Sequence, residues 1–477
     1  MQNFEYDILV LGAGPGGYVA AIRASQLGLK TAVIEKENLG GVCLNWGCIP
    51  TKALLHTAEI LHYIKNAEEF GITCKGYKID FDKVISRSRE VSNKLSSGIS
   101  HLLKKAKVSV VNGYGRFVNK NCIEVTQGKN SSQITAKNII IATGAKPKFL
   151  NGLSPNDSKA VMGYKEALMP KKLPKNLLII GSGTIGVEFA SFYNAMGSKV
   201  TIIEILDRIV ANEDKEVSTL VRQSFEKQGI RVLTSAKIKK FSMQKNDTVY
   251  FEIESKAGVI KESFDGVISA IGISANIENI GLENIGVKIS DQKYIETNEF
   301  LETHEQGIYA IGDVVAPPWL AHKASKEGVI CAEVIAGQNP KPVNPLNIPS
   351  CTYCYPQIAS IGLTQEKAES KYGKEEIRVG NFPMLANGKA LAIGKSDGFV
   401  KTIFHKKTGE LLGTHMVGAE VTEMIFGLAI TKQLEGTELD IISTIFPHPT
   451  VSETIHESVL AAVARELHIS NTKKTQG

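Results

Sequence analysis

Two cysteines, Cys43 and Cys48, offer redox chemistry because only a short segment separates them. A disulfide between them would close a small ring and contribute little to the stability of the fold. Reducing compartments also disfavour structural disulfides, so a small ring beside a cofactor site is better suited to reversible thiol–disulfide exchange. Lys52 lies about one helical turn after Cys48, where its charge would favour a thiolate. The spacing predicts a redox-active dithiol; the alternative is two ordinary thiols near a loop.

A glycine-rich turn precedes the cysteines and has the pattern of a dinucleotide-binding site. Gly12 makes a tight turn, Gly14 lets backbone approach a pyrophosphate, and Gly17 lets the following helix pack closely on the strand. The pyrophosphate would lie at the N-terminus of that helix, where free amides and the helix dipole attract an anion. Glu35 can accept hydrogen bonds from a ribose diol, which completes the prediction of a first dinucleotide site.

The same pattern returns in the middle of the chain, which predicts two dinucleotide sites rather than one. Gly181, Gly183 and Gly186 repeat the glycines, and Glu204 follows at the spacing at which Glu35 follows the first turn. Glu204 would bond a 2′-hydroxyl and repel a 2′-phosphate, so NAD is favoured over NADP. Arg208 follows closely and could soften that preference.

Each glycine turn must be held by a strand–helix–strand unit. Apolar periodicity predicts a strand, a helix and a strand around both turns, at residues 6–10, 18–27 and 31–34 and at residues 177–180, 187–196 and 200–203. Near the C-terminus, alternating stretches at residues 398–404 and 411–417 and a helical stretch at residues 421–434 predict an α+β domain.

Composition excludes several classes of protein. The 477 residues suggest roughly two to four domains, and no apolar run reaches the ~20 residues of a membrane span. The net charge of +6 comes from short, scattered basic runs, which indicate a solvated surface rather than nucleic-acid binding. No secretory signal is visible, so we expect a cytoplasmic protein, or an organellar one after trimming. We expect Cys74, Cys122 and Cys331 to pack as small hydrophobes.

The cysteine motif resembles that of the pyridine nucleotide–disulfide oxidoreductases, and the likeness extends over nearly the whole chain. Further matching motifs are Asn112-Gly113-Tyr114-Gly115, Ala142-Thr143-Gly144, Ala310-Ile311-Gly312-Asp313, Leu320-Ala321-His322-Lys323 and His448-Pro449-Thr450-Val451-Ser452-Glu453. Within the family the sequence is most similar to the enzymes that oxidise dihydrolipoamide.

The resemblance implies the fold, an α/β protein with two Rossmann-like dinucleotide-binding domains and a C-terminal α+β dimerisation domain. It places an FAD-binding domain at residues 1–148 and an NAD-binding domain at residues 149–272. A central domain at residues 273–348 would complete the FAD site, and an interface domain would follow at residues 349–477.

The resemblance also implies the cofactors, with FAD at the first unit and NAD at the second. Asp313 would bond the ribityl chain, Ala321 would lie at the isoalloxazine, and Gly115 would contact FAD through its backbone. Lys52 and Glu188 would pair near the flavin. Thr143 is a further expected FAD contact, and Gly272 and Glu188 are further expected contacts on the NAD side.

Roles for the reactive residues follow from the same resemblance. Cys43 would exchange with the substrate dithiol, and Cys48 would lie against the flavin as the charge-transfer thiolate. His448, oriented by Glu453, would be the acid–base and would come from the other subunit of a homodimer. A histidine can trade protons with a dithiol near neutral pH, and a carboxylate fixes its tautomer. The family's His-Pro bond at this motif is typically cis.

The implied activity is oxidation of dihydrolipoamide by NAD, with the dithiol carried on a lipoyl-bearing acyltransferase or a glycine-cleavage carrier protein. The alternatives are another family reductase, such as a glutathione-type enzyme, and a non-enzymatic role in complex assembly. Residues 270–276 depart from the family pattern, which puts some nicotinamide contacts in doubt. Cys351 and Cys354 form a second C-x-x-C without further ligands nearby, so we expect a structural role and no metal.

Overall fold

The computed structural model describes residues 3–256 and 258–470. Its strands are, in chain order, β1 (Tyr6–Leu11), β2 (Thr31–Glu35), β3 (Ser109–Asn112), β4 (Tyr114–Asn119), β5 (Cys122–Gln127), β6 (Asn130–Ile141), β7 (Ala145–Pro147), β8 (Val161–Met162), β9 (Asn176–Ile180), β10 (Lys199–Ile203), β11 (Arg231–Leu233), β12 (Lys237–Met243), β13 (Val249–Ser255), β14 (Gly258–Phe264), β15 (Gly266–Ser269), β16 (Ile273–Ala275), β17 (Ile308–Ala310), β18 (Ser350–Thr352), β19 (Gln357–Gly362), β20 (Ile377–Pro383), β21 (Phe399–His405) and β22 (Leu411–Gly418).

Helices lie between strands mainly around the two glycine turns and in the C-terminal third of the chain. They are α1 (Pro15–Gln26), α2 (Gly41–Trp46), α3 (Cys48–Lys65), α4 (Phe81–Lys105), α5 (Tyr164–Leu168), α6 (Thr184–Met196), α7 (Lys215–Lys227), α8 (Ala321–Ile335), α9 (Gln365–Tyr372), α10 (Gly388–Ala392), α11 (Val421–Gln433), α12 (Glu438–Ser443) and α13 (Glu453–Ala462).

The first sheet has the order β3-β2-β1-β6-β5-β4, and β17 also pairs with β6. β1 lies parallel to both β2 and β6, and its last four residues are buried, as expected for a strand covered on both faces. The predicted strands are confirmed to within one residue. The helix begins three residues earlier than predicted, because Pro15 suits the first helical position and fixes the backbone there.

The second sheet repeats this arrangement in the order β11-β10-β9-β15-β8, with β9 parallel to β10 and β15. α6 follows β9 and is mostly buried, which confirms the second predicted unit. The helix again starts earlier than predicted, directly after Gly183, whose backbone is extended. Three antiparallel strands, β12-β13-β14, follow as a separate small sheet.

The C-terminal sheet has the order β18-β19-β22-β21-β20, with antiparallel pairing throughout. α11 packs on β19 and β22, and α13 packs on β20 and β21. This confirms the predicted α+β character of the segment. The boundaries near residues 148, 272 and 348 stay a prediction. Within the described residues, no helix is long and apolar enough to cross a membrane.

Two helices that are distant in sequence, α1 and α8, touch backbone to backbone. A Cβ atom added to Gly328 on α8 would lie 2.5 Å from the carbonyl oxygen of Gly16 on α1. Any side chain at Gly328 would therefore push the helices apart. Through this contact α8, together with β17, belongs to the same core as the first glycine turn.

Candidate active site

One cavity of about 1430 Å³ collects most of the residues singled out from the sequence. Its walls come from the first sheet, from α2 and α3, from α6 and from α8. The predicted residues that line it are Gly12, Gly14, Gly17, Glu35, Cys43, Cys48, Lys52, Gly115, Thr143, Gly183, Glu188, Gly272, Asp313 and Ala321. The predicted residues outside its walls are Gly181, Gly186, Glu204, His448 and Glu453.

The two glycine turns have the same geometry. A Cβ atom on Gly17 would lie 1.9 Å from the carbonyl oxygen of Gly12, and one on Gly186 would lie 2.1 Å from that of Gly181. These positions therefore admit only glycine. Gly14 and Gly183, in contrast, face open space, with no atom within 4 Å of an added Cβ. That space at a helix N-terminus is where a pyrophosphate would approach the backbone.

Both ribose-site acids are held by their own glycine turn. Glu35 accepts a hydrogen bond of 2.8 Å from the amide of Ala13, and Glu204 accepts one of 2.9 Å from the amide of Ser182. The spacing along the chain is 22 residues in both cases. Arg208 is engaged elsewhere, in an ion pair of 2.9 Å with Glu366. The carboxylate of Glu204 is thus held in one orientation, in which it would accept hydrogen bonds from a ribose diol. Arg208 is paired with Glu366 instead.

The cysteine pair spans the junction of two helices. Cys43 lies in α2, Cys48 is the first residue of α3, and Gly47 separates the helices. The two cysteines are not bridged, and their thiols are close enough to interact. Their mutual interaction is the main cause that lowers the pKa of Cys48 and raises the pKa of Cys43, and Lys52 lowers the pKa of Cys48 further. Cys48 is therefore the more acidic thiol of the pair.

Lys52 is held beside this pair by two partners. Its Nζ lies 2.8 and 2.9 Å from the carboxylate oxygens of Glu188, which is only 4% exposed. Its Nζ also lies 4.5 Å from the ring centroid of Tyr353. The amide of Tyr353 donates to Glu188 Oε1 at 2.9 Å. The ion pair expected from the family resemblance is present, and Tyr353 was not anticipated.

Asp313 is a partly buried carboxyl group at the cavity wall. Burial raises its pKa to about 6; Lys323 opposes the rise and Glu327 adds to it. Behind it, Glu327 accepts from the amide of Gly312 at 2.8 Å and pairs with Lys323 at 2.6 Å. A buried carboxyl group needs hydrogen-bond donors. The hydroxyls of a ribityl chain would supply them, so the residues present fit FAD.

The other residues expected to contact the flavin, Thr143, Ala321 and Gly115, lie in different environments. Thr143 donates its hydroxyl to the carbonyl of Asn276 at 2.7 Å, which ties two chain segments together rather than pointing to a ligand. Ala321 is the first residue of α8, so the positive end of that helix faces the cavity. Gly115 has Leu11 packed against its Cα, with no room for a Cβ.

His448 and Glu453 form a pair of their own near the C-terminus. His448 Nδ1 lies 2.9 Å from Glu453 Oε1, and the His448 side chain is 79% exposed. Burial would raise the pKa of Glu453, but the hydrogen bonds from the amide of Thr450 and from His448 outweigh it, so that this pKa is lowered. The expected cis His448–Pro449 bond is present. The imidazole is presented to solvent, away from the walls that carry the cysteines.

The other cysteines divide into different environments. Cys122 and Cys331 are buried, as predicted, but Cys74 is exposed, because it lies in an irregular segment after α3 that packs against no core. Cys354 is buried, whereas Cys351 lines the cavity. Among the residues that the structure describes, no cluster of three or more His, Cys, Asp or Glu side chains could hold a metal ion.

Comparison with known proteins decides the family. The family model of pyridine nucleotide-disulphide oxidoreductases matches residues 6–328, and the model of that family's dimerisation domain matches residues 348–459. The chain belongs to the pyridine nucleotide-disulphide oxidoreductase family. The resemblance drawn from the motifs is confirmed, as is the predicted fold class of two Rossmann-like units and a C-terminal α+β dimerisation domain.

Relatives in this oxidoreductase family match over nearly their full length. The chain is 51% identical over 468 residues to a protein of Zymomonas mobilis named dihydrolipoyl dehydrogenase, covering 97% of this chain and 99% of the relative. It is 44% identical over 474 residues to a Bacillus subtilis protein of the same name, with the same 97% and 99% coverage.

Two solved structures share the architecture. LpdA from Mycobacterium tuberculosis has a TM-score of 0.88 and 25% identity, with 95% of this chain and 98% of that chain covered. The HOCl-induced flavoprotein disulfide reductase RclA from Escherichia coli has a TM-score of 0.85 and 26% identity, with 95% and 99% covered. The fold is thus shared across family members whose sequences differ widely.

Proposed function

We propose that this chain is a dihydrolipoyl dehydrogenase, an FAD- and NAD-dependent enzyme that oxidises dihydrolipoamide to lipoamide. The observation that carries the proposal is that Cys43 and Cys48 lie together on the wall of a cavity shared with Asp313 and the first glycine turn. The near full-length identity to two relatives named dihydrolipoyl dehydrogenase supports the choice of substrate.

The two glycine turns, the acids bonded to them and Asp313 are the residues that would hold the cofactors. Glu35, Asp313 and the turn containing Gly14 would hold FAD, and Glu204 with the turn containing Gly183 would hold NAD. When bound, FAD supplies the two-electron chemistry that connects a dithiol with a nicotinamide. Because Glu204 is fixed for a ribose diol, NAD is the expected nucleotide.

The thiols exchange in two displacements. In the oxidised enzyme, a substrate thiolate attacks Cys43 Sγ, the Cys43–Cys48 bond breaks, and Cys48 leaves as a thiolate. The second substrate thiol then displaces Cys43, so that the substrate becomes a disulfide and the enzyme pair gains two electrons. A more acidic thiol is the better leaving group, and the lowered pKa of Cys48 suits it for that part.

His448 of the partner subunit would accept the proton that the substrate dithiol loses. Glu453 bonds Nδ1, so Nε2 is the nitrogen left to take and return a proton. The site is then complete only in a homodimer, and the match to a family dimerisation domain supports that state.

The dithiol would be delivered by a carrier protein, either a lipoyl-bearing acyltransferase or a glycine-cleavage carrier. We place the reaction in the cytoplasm, or in the mitochondrial matrix for a trimmed form, because an exchangeable thiol pair requires a reducing compartment.

Turnover with dihydrolipoamide tests the proposal directly. The purified protein should form NADH from NAD, and use NADP at least 10-fold less well, on the order of one lost or repelled phosphate contact. The thiolate–flavin absorbance band should appear on reduction. Absence of NADH formation in an FAD-loaded dimer would contradict the assignment.

A further inference from the structure

We propose that Tyr353 is a positioning residue that fixes the ammonium group of Lys52 beside Cys48 through a cation–π contact. This inference rests on the proposed role of Cys48 as the thiolate of the redox pair. Tyr353 lies between Cys351 and Cys354, in the second C-x-x-C segment, for which the sequence suggested only a structural role.

Three groups meet around one charge. Lys52 Nζ lies 2.8 Å from Glu188 Oε1 and 4.5 Å from the centre of the Tyr353 ring. The amide of Tyr353 donates to the same Glu188 oxygen at 2.9 Å. Tyr353 therefore contacts both members of the ion pair, one with its ring and the other with its backbone.

Hydrogen bonds to α6 from the residues on both sides of Tyr353 hold its ring in place. Thr352 bonds Thr184 through the two hydroxyls at 3.0 Å, and the amide of Tyr355 donates to the hydroxyl of Ser191 at 3.1 Å. Together with Glu188, the residues contacted on α6 are spaced i, i+4 and i+7, which is one face of a helix. The segment carrying Tyr353 is thus tied to α6 before, at and after the ring.

An aromatic ring suits this position better than a second carboxylate. Glu188 already raises the pKa of Cys48, whereas Lys52 lowers it. Another anion beside Lys52 would weaken the field that stabilises the thiolate. A ring attracts the ammonium through its quadrupole and excludes water, without adding a full negative charge. Burial raises the pKa of Tyr353 to about 12, so its ring stays neutral at physiological pH.

The test is the titration of Cys48 in the full-length, FAD-loaded protein. In a Cys43→Ser background, the rate of iodoacetamide modification of Cys48 is followed against pH by peptide mass spectrometry, with the thiolate–flavin absorbance as a second readout. Tyr353→Leu removes the ring, and Tyr353→Phe keeps it. FAD content and thermal unfolding verify that each variant is folded.

A matched control exists elsewhere in the chain. Lys395 pairs with Glu59 at 2.5 Å and lies 4.7 Å from the ring centre of Tyr63, which repeats the same three-residue arrangement outside the cavity. Tyr63→Leu should leave the titration of Cys48 unchanged.

Tyr353→Leu should raise the pKa of Cys48 by about half to one unit, the size expected for a partly desolvated cation–π contact, and Tyr353→Phe should not. In a Lys52→Gln background, Tyr353→Leu should add nothing. The proposal is overturned by an unshifted Tyr353→Leu, by an equal shift in Tyr353→Phe, or by a shift that survives Lys52→Gln. Because the readout is a thiol pKa, it stands apart from whether dihydrolipoamide is the substrate.

Discussion

A difference between two adjacent thiols lies at the centre of the proposed chemistry. The interaction of Cys43 with Cys48 lowers the pKa of Cys48 and raises that of Cys43, and Lys52 also lowers the pKa of Cys48. This difference supports the proposal that Cys43 is the sulfur that exchanges with substrate. The two thiols therefore differ in acidity, a difference that their spacing in the sequence alone did not predict.

Replacing the more acidic thiol tests its proposed role. Cys48→Ser should abolish dihydrolipoamide turnover, because the enzyme can no longer form its disulfide or its thiolate. Cys74→Ser is the control, since Cys74 is exposed and lies outside the cavity. NADH formation measures both variants. Substantial turnover in Cys48→Ser would rule out the proposed role.

Local patterns were readable from the residues themselves, whereas a remote contact was either expected only from the family resemblance, like the pair of Lys52 with Glu188, or missed, like the contacts of Tyr353. The bond from Glu35 to the first turn spans only 22 residues and belongs to a compact motif. Glu188 is 136 residues from Lys52 and 165 from Tyr353, so no local pattern connects them. Lys323 and Glu327 stand at i, i+4 spacing, but the sequence analysis predicted neither their ion pair nor the bond of Glu327 to the amide of Gly312.

At the scale of elements, each of the two glycine turns contains one glycine that packing requires and another that is open to a ligand. Gly186 lets α6 pack onto its turn, whereas Gly183 faces open space at the helix N-terminus. The first position is a requirement of packing, and the second is available to a ligand. The glycine pattern in the sequence therefore combines two different physical requirements.

Alanine substitutions at these positions should separate the two requirements. Gly186→Ala should lower the thermal stability of the protein, because its Cβ would lie 2.1 Å from the carbonyl oxygen of Gly181. Gly183→Ala should leave stability nearly unchanged and weaken NAD binding. Calorimetry and NAD titration measure the two effects. An equally stable Gly186→Ala would contradict the packing requirement.

The N-terminus of α7 depends on a buried ion pair with the C-terminal sheet. Asp214 caps α7 and accepts from Lys401 Nζ at 3.0 Å, and both residues are almost fully buried. Burial would raise the pKa of Asp214, but Lys401 outweighs it and lowers that pKa. A depressed carboxyl pKa stabilises the fold above the unfolded value of about 4, and the contribution is lost as pH falls through the folded value.

Asp214→Asn should therefore destabilise the protein at neutral pH by about 2 kcal/mol, less than for an isolated buried pair, because Lys401 keeps its ion pair of 2.9 Å with Glu216. The difference from wild type should shrink as pH falls below about 4. Thermal unfolding across pH measures this difference in stability. Asp397→Asn is the control, because Asp397 is exposed and its ion pair with Lys227 is long, at 4.0 Å. A difference that grows toward acid pH would have the wrong sign.

At the scale of the whole molecule, one chain leaves its proposed acid–base exposed and apart from its thiols. His448 is 79% exposed, and the neighbouring Ile445 is 94% exposed. The helix α11 adds the exposed apolar residues Phe426 and Ile430, at 68% and 44%, and Leu434 directly after the helix is 75% exposed. A patch of this kind indicates a protein interface, and the dimerisation domain spans it.

Mixed dimers test whether the site is shared. Cys48→Ser and His448→Gln subunits should each be inactive or severely impaired as homodimers. Co-expressed together they should recover about a quarter of wild-type turnover, because half of random dimers are mixed and each carries one intact site. The control is a mixture of separately purified homodimers that do not exchange. No recovery in co-expressed dimers would place both groups in one chain.

The backbone contact of α1 with α8 has a consequence for biosynthesis. The first glycine turn is translated at the start, but its helix packs on Gly328, and its sheet receives β17 from residues 308–310. The nascent chain must therefore hold an unfinished nucleotide pocket while the entire second unit emerges and folds. We therefore expect the flavin pocket to be complete only after residue 328 has left the ribosome, even though its first glycine turn is made among the earliest residues.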